Sequence, residues 1–194
     1  MNKKILILYY SHGGSTNSLA NEVALGVESS GCESVVRTVP KINSSSYTVD
    51  NKDNETGPPF VTKQDLIEAG GLVLGSPTRF GNMAAPLKYF LDSTSDLWLN
   101  RSLEGKPFAL FTSTSSMHGG QEMTLFTMAV PLLHHGMIWV GCPGIPELAS
   151  TRTGGTSYGA THVDNEWNKS LSAEEKIIAQ ALGKRIGKIA TLLS

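Results

Sequence analysis

The segment Ser11-His-Gly-Gly-Ser-Thr16 combines three hydroxyl side chains with two adjacent glycines. It follows an apolar run of strand-forming residues, 4–10, and precedes a helical pattern, so its main-chain N–H groups would lie at a helix N-terminus. The helix dipole stabilises an anion at that position, and the hydroxyls add further donors. The segment has neither the lysine of a nucleotide P-loop nor the Gly-x-Gly-x-x-Gly spacing of a dinucleotide site. It predicts a monophosphate site, with an ordinary capped turn as the alternative, and the predicted contacts are Ser11, His12, Gly13, Gly14, Ser15 and Thr16.

Two further turns rich in small residues follow the third and fourth predicted strands. The turn 75–83 comes after the apolar run 71–74, and the turn 112–120 comes after the strand-like run 107–111. Open parallel α/β sheets bind ligands just outside the carboxyl ends of their strands. Main-chain donors, one guanidinium and one aromatic face at that edge suit a flat ligand with polar edges, which we interpret as a flavin. The predicted contacts are Thr78, Arg79, Phe80, Gly81, Asn82, Ser113, Thr114, Ser115, Ser116, Met117, His118 and Gly119.

Each of these contacts has a plainer alternative when taken alone. Arg79 could form a surface salt bridge, and Phe80 could be a core residue beneath its turn. Trp98, taken alone, could be a buried core tryptophan.

Two adjacent histidines, His134 and His135, end a predicted helix. Neighbouring helical residues point in different directions, so the pair is not expected to share a metal ion, and we predict no metal site. One imidazole at the pocket could stabilise negative charge that develops on a substrate oxygen. A satisfied histidine at a helix end is the alternative.

Five motifs together resemble the WrbA-like NAD(P)H:quinone oxidoreductases, which are flavodoxin-like FMN proteins, and the resemblance runs nearly end to end. The motifs are Tyr9-Tyr-Ser11, Ser76-Pro-Thr-Arg-Phe-Gly-Asn-Met83, His118-Gly-Gly-Gln-Glu122, His134-His-Gly-Met137 and Gly154-Gly-Thr-Ser-Tyr-Gly-Ala160.

The resemblance implies one FMN per subunit, held by the three turns above and by His134. It implies NADH or NADPH as electron donor and a quinone as acceptor, with hydride transfer to the flavin followed by two-electron reduction of the quinone. One pocket shared by both substrates implies ping-pong kinetics. Of the two histidines the resemblance selects His134 as the catalytic one, and Trp98 matches a tryptophan that packs over the substrate. It also implies homotetramers in equilibrium with dimers, with active sites completed by neighbouring subunits.

The alternation of strand and helix patterns predicts an α/β fold with a parallel sheet and helices on both faces. Five strands are expected, at 4–10, 34–39, 71–74, 107–111 and 137–140. They fit a flavodoxin-like, doubly wound sheet in the order 2-1-3-4-5, an order taken from analogy. Residues 41–61 are predicted to form a surface loop or a short insertion. The connection 141–170 is too long to lack a structural or functional role in a compact domain. We expect residues 1–194 to form one domain.

Composition excludes several classes of partner. With 40% hydrophobic residues, 17% charged residues and a formal net charge of −1, the chain has no basic footprint for nucleic acid. No segment approaches the ~20 apolar residues of a membrane span. Cys32 and Cys142 match no disulfide or zinc spacing, which favours a reducing, cytoplasmic location. The near-neutral charge also argues against the main alternative function, a flavodoxin-type electron-transfer protein.

Overall fold

The computed structural model describes residues 3–43, 48–49 and 57–193. The predicted surface loop 41–61 lies partly outside these ranges. Within it, β3 (Ile42–Asn43) and β4 (Thr48–Val49) pair in antiparallel fashion.

The main sheet is parallel and confirms the predicted order. Its strands β2, β1, β5, β6 and β7 lie side by side in that sequence, which is the order 2-1-3-4-5 when the small hairpin is left aside. Their bounds, with that of the additional β8, are β1 (Lys4–Tyr9), β2 (Glu33–Thr38), β5 (Gly71–Pro77), β6 (Pro107–Thr114), β7 (Ile138–Trp139) and β8 (Ala160–Val163).

Helices cover both faces of this sheet. Every residue of β5 and β6 is buried, as expected of parallel strands packed on two sides. Alternate residues of β1 enter opposite cores: Leu6 and Leu8 face one cluster, and Ile5 and Ile7 face the other. The helices of the described residues are α1 (Ser15–Glu28), α2 (Lys63–Glu68), α3 (Ala85–Asp92), α4 (Ser95–Leu99), α5 (Gln121–His134), α6 (Pro146–Ser150) and α7 (Ala173–Leu192).

The fifth position of the sheet is split between two strands, which corrects the prediction of a single strand at 137–140. β7 pairs only with Pro107 and Phe108 at the start of β6. The chain then leaves the sheet and returns as β8, which pairs with residues 111–114 at the end of β6. Gly159, just before β8, permits this return, because a Cβ there would lie 2.3 Å from the carbonyl oxygen of Leu110. The long connection 141–170 therefore contains a sheet strand of its own.

The helices start in two different ways. α2 and α7 begin with capping boxes, Thr62 with Asp65 and Ser172 with Glu175. In contrast, α1 and α5 follow left-handed glycines, Gly14 (φ 100°) and Gly120 (φ 83°). A glycine carries no side chain that could cap the first turn, so the first main-chain N–H groups of α1 and α5 are left available for other acceptors.

None of the helices in the described part of the chain is long and apolar enough to cross a membrane.

Candidate cofactor site at the carboxyl edge of the sheet

The loops that follow β1, β5 and β6 meet around one cavity of about 300 Å³ at the carboxyl ends of these strands. Ten of the residues selected from the sequence line it, together with two that were not selected. The lining residues are Ser11, His12, Gly13, Ser15, Thr16, Pro77, Thr78, Arg79, Ser113, Thr114, Ser115 and Asp164.

Hydrogen bonds between hydroxyl groups and the main chain hold these loops together. The buried Thr16 and Ser113 share a hydrogen bond of 2.8 Å between Oγ1 and Oγ, which joins the first loop to the end of β6. The N–H of Thr78 donates to the carbonyl oxygen of Ser113 at 2.9 Å, and the Thr78 hydroxyl is hydrogen-bonded to that of Thr124 on α5. These hydrogen bonds fix the relative positions of the three loops.

The first loop has the donors that a phosphate requires. The N-terminus of the 14-residue α1 opens into this loop, where the helix dipole favours an anion. The hydroxyl of Ser11 accepts a hydrogen bond of 3.1 Å from the N–H of Gly14, which closes a turn within the loop. Hydroxyls, main-chain N–H groups and the nearby Arg79 form a donor set that fits a monophosphate ester.

Of the two lining residues that were not selected from the sequence, Pro77 and Asp164, only Asp164 has a charged side chain. Its carboxylate oxygen Oδ2 accepts a hydrogen bond from the hydroxyl of Ser15, and its N–H donates to the carbonyl oxygen of Thr114 at 2.7 Å. It directly follows β8, so its position became apparent only once that strand was known. The sequence signal that could have identified Asp164 is an acidic residue at the carboxyl end of a strand that neighbours β6.

The turn after β5 presents an aromatic ring to solvent. Arg79 and Asn82 exchange main-chain hydrogen bonds of 2.8 and 3.0 Å across a tight turn, and Phe80 at its tip has a left-handed backbone with φ 53°. The Phe80 ring is fully exposed, so the alternative of a core position is wrong. The Arg79 guanidinium donates to the carbonyl oxygen of Thr78 at 2.8 Å, which holds it along the edge of the cavity.

The remaining predicted flavin contacts surround the cavity without all lining it. His12, Arg79 and Asn82 also line an adjacent cavity of about 1030 Å³ that extends to α3. Met117 and His118 line a third cavity, of about 670 Å³, against the segment 153–156. The loop 115–119 is tightly folded, because a Cβ at Gly119 would lie 2.0 Å from the Thr114 hydroxyl oxygen.

Trp98 and His134 contact each other but lie far from the cavity of their own chain. Their rings are stacked, with centroids 5.5 Å apart and planes 25° apart. Thr124 of α5 contacts the cavity-lining Thr78, and His134 ends the helix ten residues later, so the pair lies about 15 Å from the cavity at 1.5 Å per residue. His135 points elsewhere, as predicted: its Nε2 shares a hydrogen bond of 3.0 Å with the Thr94 hydroxyl, and burial, together with the neighbouring His134, lowers its pKa.

A buried contact between His162 and Glu175 anchors β8, and with it Asp164, to α7. Nδ1 of His162 lies 2.9 Å from Oε2 of Glu175, and both side chains are essentially inaccessible to solvent. Burial pushes the pKa of Glu175 upward, but hydrogen bonds from His162 and from the N–H groups of Ser172 and Gly154 outweigh it and hold that pKa below its usual value. The sequence analysis left His162 without a role, and the structure gives it this structural one.

The fold and the hydroxyl-lined cavity define a flavodoxin-like protein. A family model described as NADPH-dependent FMN reductase matches residues 3–145, and the chain belongs to this family.

Two curated relatives agree with this assignment. A protein of Gluconacetobacter diazotrophicus named NAD(P)H dehydrogenase (quinone) is 37% identical over 197 residues and covers 98% of both chains. A protein of Rhizobium meliloti named NAD(P)H dehydrogenase (quinone) 3 is 36% identical over 203 residues, covering 98% of this chain and 93% of the relative. These two matches confirm the family recognised from the sequence.

The similarity to solved structures concerns the fold. A WrbA-like flavodoxin from Agrobacterium tumefaciens superposes with a TM-score of 0.71 at 20% identity over the whole of both chains. Flavodoxin 2 from Bacillus cereus gives a TM-score of 0.62 at 17% identity, covering 96% of this chain and 99% of the other.

Proposed function

We propose that this protein is an FMN-dependent NAD(P)H:quinone oxidoreductase. Family membership and two curated relatives named NAD(P)H dehydrogenase (quinone) support the activity. The structural observation that carries the proposal is the cavity in which the hydroxyls of Ser11, Ser15 and Thr16 and the N-terminus of α1 face the ends of β5 and β6. We take residues 1–194 as a single FMN-binding domain.

FMN fits this site through two kinds of contact. The loop 11–16 would hold the phosphate by hydroxyl and main-chain donors, and the turns 78–82 and 113–119 would hold the flavin ring. The exposed Phe80 ring would cover part of the flavin face and exclude water from it.

When bound, FMN supplies the redox chemistry, accepting a hydride equivalent from NADH or NADPH and passing the electron pair to a quinone. The chain's own residues bind and orient the reactants. Since donor and quinone would occupy the same face in turn, we expect ping-pong kinetics, with parallel initial-rate lines.

We infer that neighbouring subunits complete each active site in a homotetramer that exchanges with dimers. Within one chain, the Trp98–His134 pair is about 15 Å from the cavity, too far to touch a ligand there. The outward face of α5 carries a row of exposed apolar side chains that ends at His134, and such a row is typical of a subunit contact. The row consists of Met123, Phe126, Val130 and Leu133.

In this assembly Trp98 of one subunit would stack over the quinone bound by another. His134 would stabilise the negative charge that develops on the quinone oxygen.

We place the enzyme in the cytoplasm, where free thiols persist. Cys32 and Cys142 are both unpaired, and burial raises the pKa of the Cys142 thiol to about 12, so that it stays protonated at neutral pH.

The function is tested by titrating the purified protein with FMN and then adding NADH or NADPH and benzoquinone without oxygen. We expect the flavin absorbance to shift on binding, to bleach with the nicotinamide donor and to return with the quinone. A protein that binds FMN but does not oxidise either donor would be an electron carrier rather than this enzyme. A protein that does not bind FMN would refute the proposal altogether.

A further inference from the structure

Asp164 places a carboxylate inside the cavity that we assign to the phosphate of FMN. Phosphate sites at helix N-termini are built from hydrogen-bond donors, whereas an ionised carboxylate only accepts hydrogen bonds and carries the same sign of charge as phosphate. Here the carboxylate already accepts the hydrogen bond of Ser15, one of the hydroxyls that would bind the phosphate. The Asp164 carboxylate therefore disfavours the phosphate that the donors of the loop 11–16 favour.

The main chain keeps Asp164 in this position. Its N–H donates to the carbonyl oxygen of Thr114 at 2.7 Å, which extends the pairing of β8 with β6 by one residue. Two residues earlier, His162 is held by Glu175 in the buried pair described above. The side chain can rotate away from Ser15, but its Cα cannot leave the cavity without disturbing the sheet.

No cationic side chain of the described residues forms an ion pair with the Asp164 carboxylate. Arg79 provides the permanent positive charge of the lining, and its guanidinium is directed to the carbonyl oxygen of Thr78. An incoming phosphate would thus meet, at close range, a second anion that shares the N-terminus of α1 and has no cationic partner, where the effective dielectric constant is well below that of water.

We propose that Asp164 is an affinity determinant for the phosphate end of the cofactor, and that it makes FMN an exchangeable ligand of this chain. The carboxylate competes with the phosphate for the Ser15 hydroxyl and repels it electrostatically. This inference rests on the proposed function, since it concerns the FMN site itself. It predicts that the phosphate contributes less to binding than its donor set alone would give.

The experiment compares FMN with riboflavin, which lacks the phosphate, in the wild type and in Asp164→Asn. Asparagine has the same shape and keeps an oxygen that accepts from Ser15, so the fold is expected to persist, which the thermal midpoint without flavin checks. Dissociation constants come from the quenching of flavin fluorescence. We expect Asp164→Asn to bind FMN at least tenfold more tightly, with the affinity for riboflavin changed by less than twofold. The four constants form a double-mutant cycle that isolates the carboxylate–phosphate interaction.

Glu166→Gln is the matched control, because it removes a negative charge two residues away on an exposed side chain. It should leave the affinity for FMN within twofold of the wild-type value. Equal affinities of wild type and Asp164→Asn for FMN would overturn the inference while leaving the proposed function standing. Weaker binding of both flavins by Asp164→Asn would also overturn it, because the carboxylate would then hold the ribityl hydroxyls. If no variant bound FMN, the proposed function would fail and the inference with it.

Discussion

At the scale of single residues, the loop 11–16 shows how small side chains create a ligand site. Its glycines leave space for a ligand, and its hydroxyls supply hydrogen-bond donors. Gly14, with a left-handed backbone, directly precedes α1 and has no side chain that could cap the helix. The donors left free by that geometry are what a phosphate would bind. Asp164 then modifies the site from a distant part of the sequence.

The stacked pair of Trp98 and His134 gives the first prediction. Trp98→Ala should raise the KM for benzoquinone about five- to tenfold, because it removes the ring that would stack on the quinone. The dissociation constant of FMN should stay within twofold of the wild-type value, because neither Trp98 nor His134 lines the cavity with the loop 11–16. Steady-state kinetics at saturating NADH and a flavin titration measure the two effects.

Trp98→Phe is the control for this change. A phenyl ring still stacks, so this variant should keep the KM for benzoquinone within about threefold of the wild-type value. Unchanged quinone kinetics in Trp98→Ala would remove the residue from the substrate site.

At the scale of elements, the segment between β7 and β8 is held by the buried Glu175. Its two carboxylate oxygens accept hydrogen bonds from the N–H groups of Gly154 and Ser172, at 2.7 and 2.8 Å, and contact Nδ1 of His162 at 2.9 Å. One carboxylate thus joins the long connection, β8 and the first turn of α7. A glutamine there would turn its amide hydrogens towards main-chain donors.

Glu175→Gln should therefore lower the free energy of unfolding by about 2–4 kcal/mol at pH 7, measured by urea unfolding of the cofactor-free protein. Folding lowers the pKa of Glu175, so its ionisation stabilises the fold above the unfolded-state pKa, and this contribution is lost as pH falls through the folded-state value. The difference between wild type and variant should accordingly shrink below about pH 4.

Glu174→Gln serves as the control for this prediction, because Glu174 is the adjacent acid in the same helical turn but is exposed. It should change the free energy of unfolding by less than about 0.5 kcal/mol. Equal effects of the two substitutions would show that the buried carboxylate has no special role in holding β8.

The elements also show what the sequence could and could not reveal. The continuous apolar runs of β1, β5 and β6 and the capping boxes of α2 and α7 are local signals, so those elements were predictable. β8, with the sequence Ala-Thr-His-Val, has no such run, because its pairing with the end of β6 and its buried His162 depend on distant residues. For that reason Asp164 was missed. The separation of His134 from the cavity likewise depends on the length and direction of α5, which sequence spacing alone does not convey.

At the scale of the whole molecule, a single chain brings together the loops of the candidate cofactor cavity but holds the Trp98–His134 pair away from it. If neighbouring subunits supply that pair, disrupting the α5 surface should abolish turnover without abolishing cofactor binding. The most exposed aliphatic side chain of the apolar row on α5 is Val130, at 64%. A carboxylate at this position would have to be buried without a partner in any contact made through α5.

Val130→Glu should therefore shift the protein from tetramer towards monomer in light scattering at micromolar concentration, and lower kcat with benzoquinone at least tenfold. The dissociation constant of FMN should change by less than threefold, because the loops around the cavity belong to one chain. Ile177→Glu is the matched control, since Ile177 is an exposed aliphatic residue, 43% accessible, on α7 rather than α5. It should leave both mass and turnover unaltered. A monomeric Val130→Glu variant with full quinone turnover would show that one chain suffices for catalysis, and Trp98 and His134 would then have no role in it.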